Sequence, residues 1–254
     1  MRIIALQSGS NGNCIYLESG ATRLLFDAGI SGICASTRLA YFGIDIRTVD
    51  ALFITHDHTD HVSGAGVFHR KFKIPVWMTE DTQAACAHKI GKVAAVQHFS
   101  ANTRFQFKNL RIETISTTHD AADGVCFAVD DGEHRFGICT DLGCVFSALP
   151  DFIASLDGVL LESNFDPKML ESGPYPYDLK RRVQGDGGHL SNFEAAHLLQ
   201  KKGQRLKKIV LGHISEENNT ENLVVETHRK ILGKSFQCEL AHRYAASNII
   251  DLND

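Results

Sequence analysis

The sequence predicts an α/β protein in which short strands alternate with helices along the whole chain. Runs of apolar and β-branched residues, such as residues 51–54, recur and are typical of buried strands. Capped helical patterns, such as the one that begins at Thr79, lie between these runs. Several strands also end in histidine or aspartate, as in sheet proteins that collect functional side chains at one edge.

The composition is that of a globular domain, and we expect residues 1–254 to form a single one. The chain is 43% hydrophobic and 22% charged, which is enough apolar material for a sizeable core. No apolar run approaches the roughly 20 residues that a membrane-spanning helix needs. Residues 1–7 carry one basic residue and a very short apolar run, which predicts a first strand and not a signal peptide. We therefore expect no membrane partner.

Cysteine usage and net charge limit the expected compartment and partners. The seven cysteines are scattered and form no CxxC pair, which predicts reduced thiols in a cytoplasmic protein. The net charge of −4 gives no general attraction to nucleic acid, so that binding of a polyanion must depend on a local patch. Lys180, Arg181 and Arg182 form one such patch. The basic residues within 201–208 are better explained as the solvated end of a helix.

The first part of the chain predicts strands and helices in alternation. A polar loop with turn glycines follows the first strand, and Ser19-Gly20-Ala21 is typical of a hairpin turn. Gly43 marks the end of the first helix. The predicted strands are residues 2–6, 15–18, 22–27, 50–55 and 74–78, and the predicted helices are residues 37–42, 62–72 and 79–90.

The rest of the chain predicts a strand-rich middle followed by two further helices. Ser191 or Asn192 is predicted to cap the first of these helices. The segment 165–190 contains several glycines and prolines and is predicted to be a loop. The predicted strands are residues 110–117, 125–129, 135–140, 157–162, 208–211 and 236–240, and the predicted helices are residues 193–202 and 221–232.

One histidine- and aspartate-rich stretch lies on a predicted strand-to-helix turn. His56, His58, Asp60 and His61 follow the apolar residues 51–54 and precede a helical pattern. Neutral nitrogen and anionic oxygen donors that converge on a rigid turn are the ligands of a divalent metal. The alternative is a polar loop that is rich in histidine by chance, but an isolated HxH would fit that alternative better than HxHxDH.

Four predicted strands end in a potential ligand, which extends the site beyond this turn. Five imidazoles and two carboxylates suit two divalent ions, either zinc or manganese, with iron also compatible. Such ions lower the pKa of bound water toward about 7, so that a bridging hydroxide is the expected nucleophile. We predict one ion at His56, His58 and His119, a second at Asp60, His61 and His213, and Asp141 between them.

His189 is a separate candidate because it follows two glycines and precedes a predicted helix. Such a position favours anions, and an imidazole there can hold a phosphate oxygen or protonate a leaving group. The alternative is a histidine at a helix end without a chemical role. Candidate substrate contacts are Asn164, Lys180, Arg181, Arg182 and Ser191, although Ser191 also fits the role of helix cap.

Taken together, these motifs resemble the metallo-β-lactamase superfamily. The resemblance rests on HxHxDH at residues 56–61 followed by His119, Asp141 and His213, and it covers essentially the whole chain. Within the superfamily, the stretches SGSNGNC, LESNFD and GHLSN resemble the bacterial YycJ/WalJ/VicX group. Asn11 and Phe165 depart from the pattern of that group, which tends to have serine and histidine there, but neither position is a predicted ligand.

The resemblance implies a fold and an activity. The fold is an αββα sandwich, in which two mixed sheets are flanked by helices and a two-metal site lies at one edge. The activity is that of a bacterial, metal-dependent 5′→3′ exonuclease that acts on DNA and is often bound to manganese. Fold analogy also suggests a homodimer.

Three functions are compatible with these residues. The first is a phosphodiesterase that acts on nucleic acid, expected to be DNA, in which Asp60 orients the bridging hydroxide and His189 acts on the leaving-group side. The second is a small-molecule metallohydrolase that cleaves a lactone, a thioester or a cyclic phosphodiester. The third is a regulatory protein with a vestigial metal site, against which the presence of all seven predicted ligands argues. His189 and the basic patch favour a phosphate substrate.

Overall fold

In the computed structural model, which describes residues 1–253, two seven-stranded sheets pack against each other. The first sheet contains β1 (Arg2–Gln7), β2 (Cys14–Ser19), β3 (Thr22–Phe26), β4 (Ala51–Phe53), β5 (Val76–Met78), β6 (Val96–His98) and β14 (Ile250–Asp251). The second contains β7 (Arg104–Phe107), β8 (Leu110–Ser116), β9 (Val125–Asp130), β10 (Arg135–Cys139), β11 (Gly158–Glu162), β12 (Lys208–Gly212) and β13 (Glu239–Leu240).

Both sheets are mixed, and their parallel parts determine where the site can form. The strand orders are β14-β1-β2-β3-β4-β5-β6 and β13-β12-β11-β10-β9-β8-β7. Strands β3 to β6 run parallel in the first sheet, and strands β10 to β13 run parallel in the second. Because the carboxyl ends of parallel strands meet at one edge, residues that follow β3, β4, β10, β11 and β12 are brought together.

The main core lies between the two sheets and is rich in aromatic side chains. Phe53 is fully buried at its centre. Its ring centroid lies 5.6 Å from those of Phe26 and Trp77 and 5.8 Å from that of Phe127 of the opposite sheet. Each buried aromatic side chain of this size contributes about 1.5–3 kcal/mol through the removal of its surface from water.

Helices cover the outer faces of both sheets, which completes an αββα sandwich and confirms the predicted fold class. Helices α1, α3 and α4 pack on the first sheet, and α5, α8 and α9 pack on the second. No helix within residues 1–253 has both the length and the apolar content to span a membrane. The helices are α1 (Gly32–Tyr41), α2 (Thr59–Val62), α3 (Ala65–Phe72), α4 (Glu80–Ile90), α5 (Leu149–Ala154), α6 (Pro167–Ser172), α7 (Tyr177–Gln184), α8 (Asn192–Lys202) and α9 (Glu221–Leu232), with a 3₁₀ turn at Ile46–Thr48.

The predicted loop at residues 165–190 is wrong, because two short helices lie within it. Helix α6 begins at a proline, and the Asp166 side chain caps it by accepting from Lys168 N and Met169 N. Helix α7 is mostly polar, and its apolar side chains Leu179 and Val183 pack with Phe165 and other residues in a small separate cluster. This packing, and not helix propensity, stabilises the segment.

The helix predicted at residues 62–72 is divided into α2 and α3. Gly64 lies between them, and its N–H donates to the carbonyl of Ala28 over 2.7 Å. A Cβ at this position would lie 2.4 Å from the carbonyl oxygen of Ile30, so that only glycine permits this approach. The break leaves α2 as a single turn that carries Asp60 and His61.

Candidate metal centre

The candidate centre lies where strands of both sheets end. Asp27 directly follows β3, Asp141 is the second residue after β10, and His213 directly follows β12. All three adopt left-handed backbone conformations, with φ of 62°, 55° and 52°. Such a conformation costs a non-glycine residue about 1–3 kcal/mol and is concentrated at functional sites. The three residues are also buried, so that the surrounding fold holds them in place.

The structure brings all seven predicted ligands together. Potential ligand atoms of His56, His58 and His119 lie within 4.8 Å of one another, and so do those of the second predicted set. Asp141 lies between the two sets, because its Oδ2 is 3.1 Å from His61 Nε2 and its Oδ1 is 3.5 Å from His119 Nε2. The second predicted set consists of Asp60, His61 and His213.

The donor atoms of this cluster fit a metal. His56 Nε2, Asp141 Oδ2 and His213 Nε2 are buried and have no hydrogen-bond partner among residues 1–253. A buried polar atom without a partner costs free energy, and native structures rarely leave one unexplained. Three such atoms that belong to one cluster are explained if divalent ions bind there.

Outer contacts orient the imidazole rings toward the centre of the cluster. His61 Nδ1 donates to Asp27 Oδ2 over 2.7 Å, and His119 Nδ1 donates to the carbonyl of Gly188 over 2.7 Å, so that each ring turns its Nε2 toward Asp141 and the cluster. His58 is reversed, because its Nε2 lies 3.1 Å from the carbonyl oxygen of Asp120 and its Nδ1 faces the cluster. Asp27 also accepts from Thr55 N over 2.8 Å and thereby holds the turn that carries the histidines.

The pKa values of the cluster depend on its burial and on how closely its histidines and carboxylates lie together. Burial lowers the pKa of His61, but Asp27, Asp141 and Asp60 outweigh burial and raise it well above the usual value. Burial likewise opposes the net shift at His213, whose pKa rises to about 10 because of Asp141 and other carboxylates. These two imidazoles are therefore protonated in the metal-free protein at neutral pH.

Other members of the cluster titrate in the opposite direction. Burial lowers the pKa of His56 and of His119, which keeps both rings neutral and able to bind a metal. Burial raises the pKa of Asp60 and of Asp141, but the neighbouring histidines more than compensate and hold both carboxylates ionised.

His189 lies at the same centre, held by a carboxylate that the sequence analysis did not select. Its Nδ1 is 2.6 Å from Glu162 Oε1, and its ring centroid is 5.2 Å from that of His213. Burial raises the pKa of Glu162, but His189 lowers it to about 2, so that the carboxylate is ionised and Nδ1–H must be the donor. The far side of the ring is therefore free for substrate.

Glu162 and Asp27 could have been found with the strand-end rule that selected the other ligands. Glu162 is the last residue of β11, and Asp27 directly follows β3. Both side chains are completely buried, although charged residues are rarely so unless they are paired. In the sequence, each resembles an ordinary acidic residue at the end of a strand.

The basic patch is divided between two faces of α7. Arg182 lines the cleft, where its Nε donates to Asp120 Oδ2 over 2.6 Å. Leu179 and Val183 share that face of the helix. Arg181 points to the opposite face and lies over the ring of Tyr177, 5.9 Å from its centroid.

The other predicted substrate contacts have structural partners. Lys180 Nζ donates to the carbonyl of Glu171 over 2.7 Å. Asn164 lines the cleft, and its Nδ2 donates to the carbonyl of His213 over 2.7 Å. Ser191 is buried in a capping box with Glu194 at the start of α8, so that its hydroxyl does not line the cleft.

The cleft above the centre has a volume of about 220 Å³. One part of its wall comes from the metal cluster and His189. The rest comes from α7 and the segment just before it, and from the loops that follow β1, β11 and β12. The lining residues are Ser10, His58, Asp60, His119, Asp141, Asn164, Tyr175, Leu179, Arg182, Val183, His189, His213, Ser215 and Asn218.

Comparison with known families identifies the fold family. A family model of the metallo-beta-lactamase superfamily matches residues 8–213. The chain belongs to this superfamily. The match spans the residues from the first glycine loop to the last predicted ligand, and it confirms the resemblance that the sequence motifs indicated. The fold family implies the use of divalent metal, and the cluster described above contains candidate ligands for it.

Two curated relatives refine this assignment. Exodeoxyribonuclease WalJ of Streptococcus pneumoniae is 36% identical over 240 residues, which cover 92% of this chain and 88% of that protein. Exodeoxyribonuclease YycJ of Bacillus anthracis is 34% identical over 221 residues, which cover 86% and 84%. The chain therefore belongs to the YycJ- and WalJ-like group. The crystal structure of YhfI from Bacillus subtilis, a metallo-beta-lactamase fold protein, superposes with a TM-score of 0.75 at 15% identity, over 99% of this chain and 100% of that one.

Proposed function

We propose that this protein is a metal-dependent exodeoxyribonuclease that removes nucleotides from the 5′ end of DNA. The geometric observation that carries the proposal is the pairing of a complete histidine and aspartate cluster with His189, which Glu162 orients into the same cleft. The similarity to two proteins named exodeoxyribonucleases supports DNA as the substrate. We further propose two divalent ions per chain, zinc or manganese, with iron also compatible.

The proposed reaction breaks the bond between phosphorus and the 3′ oxygen of the terminal nucleotide. When bound, the two ions supply a nucleophile from water at neutral pH and neutralise charge on the phosphate. Asp60 Oδ2 lies 3.5 Å from both His61 Nε2 and His213 Nε2, at the centre of this arrangement. It orients the attacking water. The products are a 3′ hydroxyl on the released nucleotide and a 5′ phosphate on the shortened strand.

His189 acts on the leaving-group side in this proposal. Its Nδ1–H is held by Glu162, so that protonation places the second proton on Nε2, which faces the cleft. From there it is transferred to the departing 3′ oxygen. Glu162 accepts from Leu142 N over 2.9 Å as well, which fixes the carboxylate and through it the imidazole plane.

The experiment is hydrolysis of a single-stranded DNA that carries a label at its 5′ end by metal-reconstituted protein, beside Asp60→Ala and His189→Ala. We expect stepwise loss from the 5′ end in the wild type and none in Asp60→Ala. The absence of cleavage with manganese, zinc and magnesium would refute the proposal, and lactones, thioesters and cyclic phosphodiesters would then be the substrates to test.

A substrate with a p-nitrophenolate leaving group tests the role of His189 separately, because this group departs without a proton. His189→Ala should lose roughly 10²–10⁴-fold on DNA. On thymidine 5′-p-nitrophenyl phosphate the loss should be much smaller. Equal losses on both substrates would exclude proton donation by His189.

Two further properties are part of the proposal. All seven cysteines are free, which supports a cytoplasmic location. Self-association into a homodimer is a prediction that light scattering at several protein concentrations would test.

A further inference from the structure

Beside the cleft lies an exposed aromatic side chain whose position is fixed at both ends. Tyr244 belongs to the irregular segment between β13 and β14, and 67% of its surface is exposed. Its hydroxyl donates to Glu216 Oε1 over 2.6 Å, and its backbone carbonyl accepts from Arg38 Nη2 over 2.7 Å. A large side chain that is held so firmly without being buried gains little from the hydrophobic effect.

A guanidinium group supports the tyrosine ring. The guanidinium carbon of Arg243 lies 5.8 Å from the centroid of the Tyr244 ring, within the range of a cation–π contact. Arg243 Nε is also 3.1 Å from Glu216 Oε2. The same carboxylate thus holds both the hydroxyl of Tyr244 and the arginine beside its ring, and together these three side chains form a rigid platform.

Two of the contacts made by the platform connect it to residues next to the cleft wall. Glu216 directly follows Ser215, which lines the cleft. Asn11 directly follows Ser10, another lining residue, and its Nδ2 donates to the carbonyl of Arg243 over 3.2 Å. These contacts join the segment that carries the ring to the part of the cleft wall that Ser10 and Ser215 form.

We propose that Tyr244 is a stacking platform for a nucleobase of the DNA strand whose phosphate enters the metal centre. This inference rests on the proposed function and adds a residue that positions the substrate. A planar base stacks on an exposed tyrosine whatever its identity, which suits an enzyme that removes successive nucleotides. Because Glu216 and Arg243 already hold the side chain of Tyr244, and Arg38 holds its backbone, stacking costs little additional side-chain entropy.

The chain contains a matched control for this proposal. Tyr177 is 73% exposed and also lies beside an arginine, Arg181, at 5.9 Å. It occupies the face of α7 opposite to Leu179 and Val183, which line the cleft. Replacement of Tyr177 therefore removes the same chemical group in the same kind of setting, but away from the substrate path.

Two measurements on the metal-loaded protein test the platform at one fixed salt concentration. The first is the Kd for a fluorescent phosphorothioate oligonucleotide, which resists hydrolysis. The second is kcat and KM on the corresponding phosphodiester. Tyr244→Ala should weaken binding by roughly 5- to 100-fold, as expected for loss of one base–aromatic stack, and should raise KM with little change in kcat. Tyr244→Trp and Tyr177→Ala should bind within about twofold of wild type.

Abasic substitution distinguishes stacking from a merely structural role. Removal of the base at one position near the 5′ end should weaken binding by wild type to the same extent as Tyr244→Ala, and should not weaken binding by the variant further. Equal sensitivity of wild type and Tyr244→Ala at every position would overturn the platform while the nuclease function stands. If wild type neither binds nor cleaves the oligonucleotide, both the function and the platform are refuted.

Discussion

Replacement of Glu162 by glutamine tests the buried pair that orients His189. Glutamine has nearly the same shape as glutamate but offers only one oxygen. Three donors need an acceptor at this place: the N–H groups of Leu142 and Leu190 at one oxygen, and His189 Nδ1–H at the other. The donors at one of the two positions must lose their acceptor in the variant, or His189 must take the tautomer with its proton on Nε2.

The size of the effect follows from the loss of one hydrogen bond to a charged partner. His189 Nδ1 lies 2.6 Å from Glu162 Oε1, and a hydrogen bond of this kind contributes about 1.5–3 kcal/mol. Loss of this amount lowers the rate of a step that depends on the position of His189 by about 10- to 100-fold.

The assay is the single-turnover rate of cleavage of DNA, measured with metal content and Tm on the same samples. Metal content should be unchanged because the predicted ligands are retained. Glu194→Gln is the matched control, since glutamine also serves in a capping box and Glu194 lies outside the cleft. A rate for Glu162→Gln equal to that of this control, with full metal content, would refute the role assigned to the pair.

Three other predictions follow from the site and the core. The pKa values of His61 and His213 are raised in the metal-free protein, so that both are protonated at pH 7. Metal binding should therefore release about two protons and should weaken as the pH falls. Calorimetry in buffers of different ionisation enthalpy measures this release, and a binding enthalpy that is the same in every buffer would contradict it. Asp27→Asn should lower metal affinity by about 10- to 100-fold, measured by competition with a chelator, whereas an unchanged affinity would contradict its orienting role. Phe53→Ala should destabilise the fold by about 3–5 kcal/mol in chemical denaturation, and a loss below about 1 kcal/mol would mean that the aromatic core can close around the gap.

The sequence predicted most of the strands and several helices well, because those segments have strong local signals. Helix α4 begins after the predicted cap at Thr79, and α9 has the predicted limits of Glu221–Leu232. Helix α7 was missed because only Leu179 and Val183 carry its apolar signal, and they act through contacts with Phe165 that are distant along the chain. Local pattern carries no information on such contacts.

In the candidate site, too, some features have a local signal in the sequence and others depend on the folded structure. The predicted ligands could be selected because each follows a strand and has a side chain suited to metal. The orienting carboxylates Asp27 and Glu162 could have been selected in the same way, but the partner of His119 could not, because it is the backbone carbonyl of Gly188, which any residue would offer. The direction of Arg181 and Arg182 likewise depends on the rotation of α7 against the cleft, which only the folded structure determines.

The two sheets supply the centre jointly, which has a consequence for synthesis of the protein. His56 and His61 follow a strand of the first sheet, whereas Asp141 and His213 follow strands of the second. A chain that emerges from the ribosome presents the three-histidine group once His119 has appeared, but the group with Asp60 and His61 stays incomplete for more than ninety further residues, until His213 is made. The second group of ligands, and with it the proposed two-metal centre, is therefore complete only after most of the second sheet has been made.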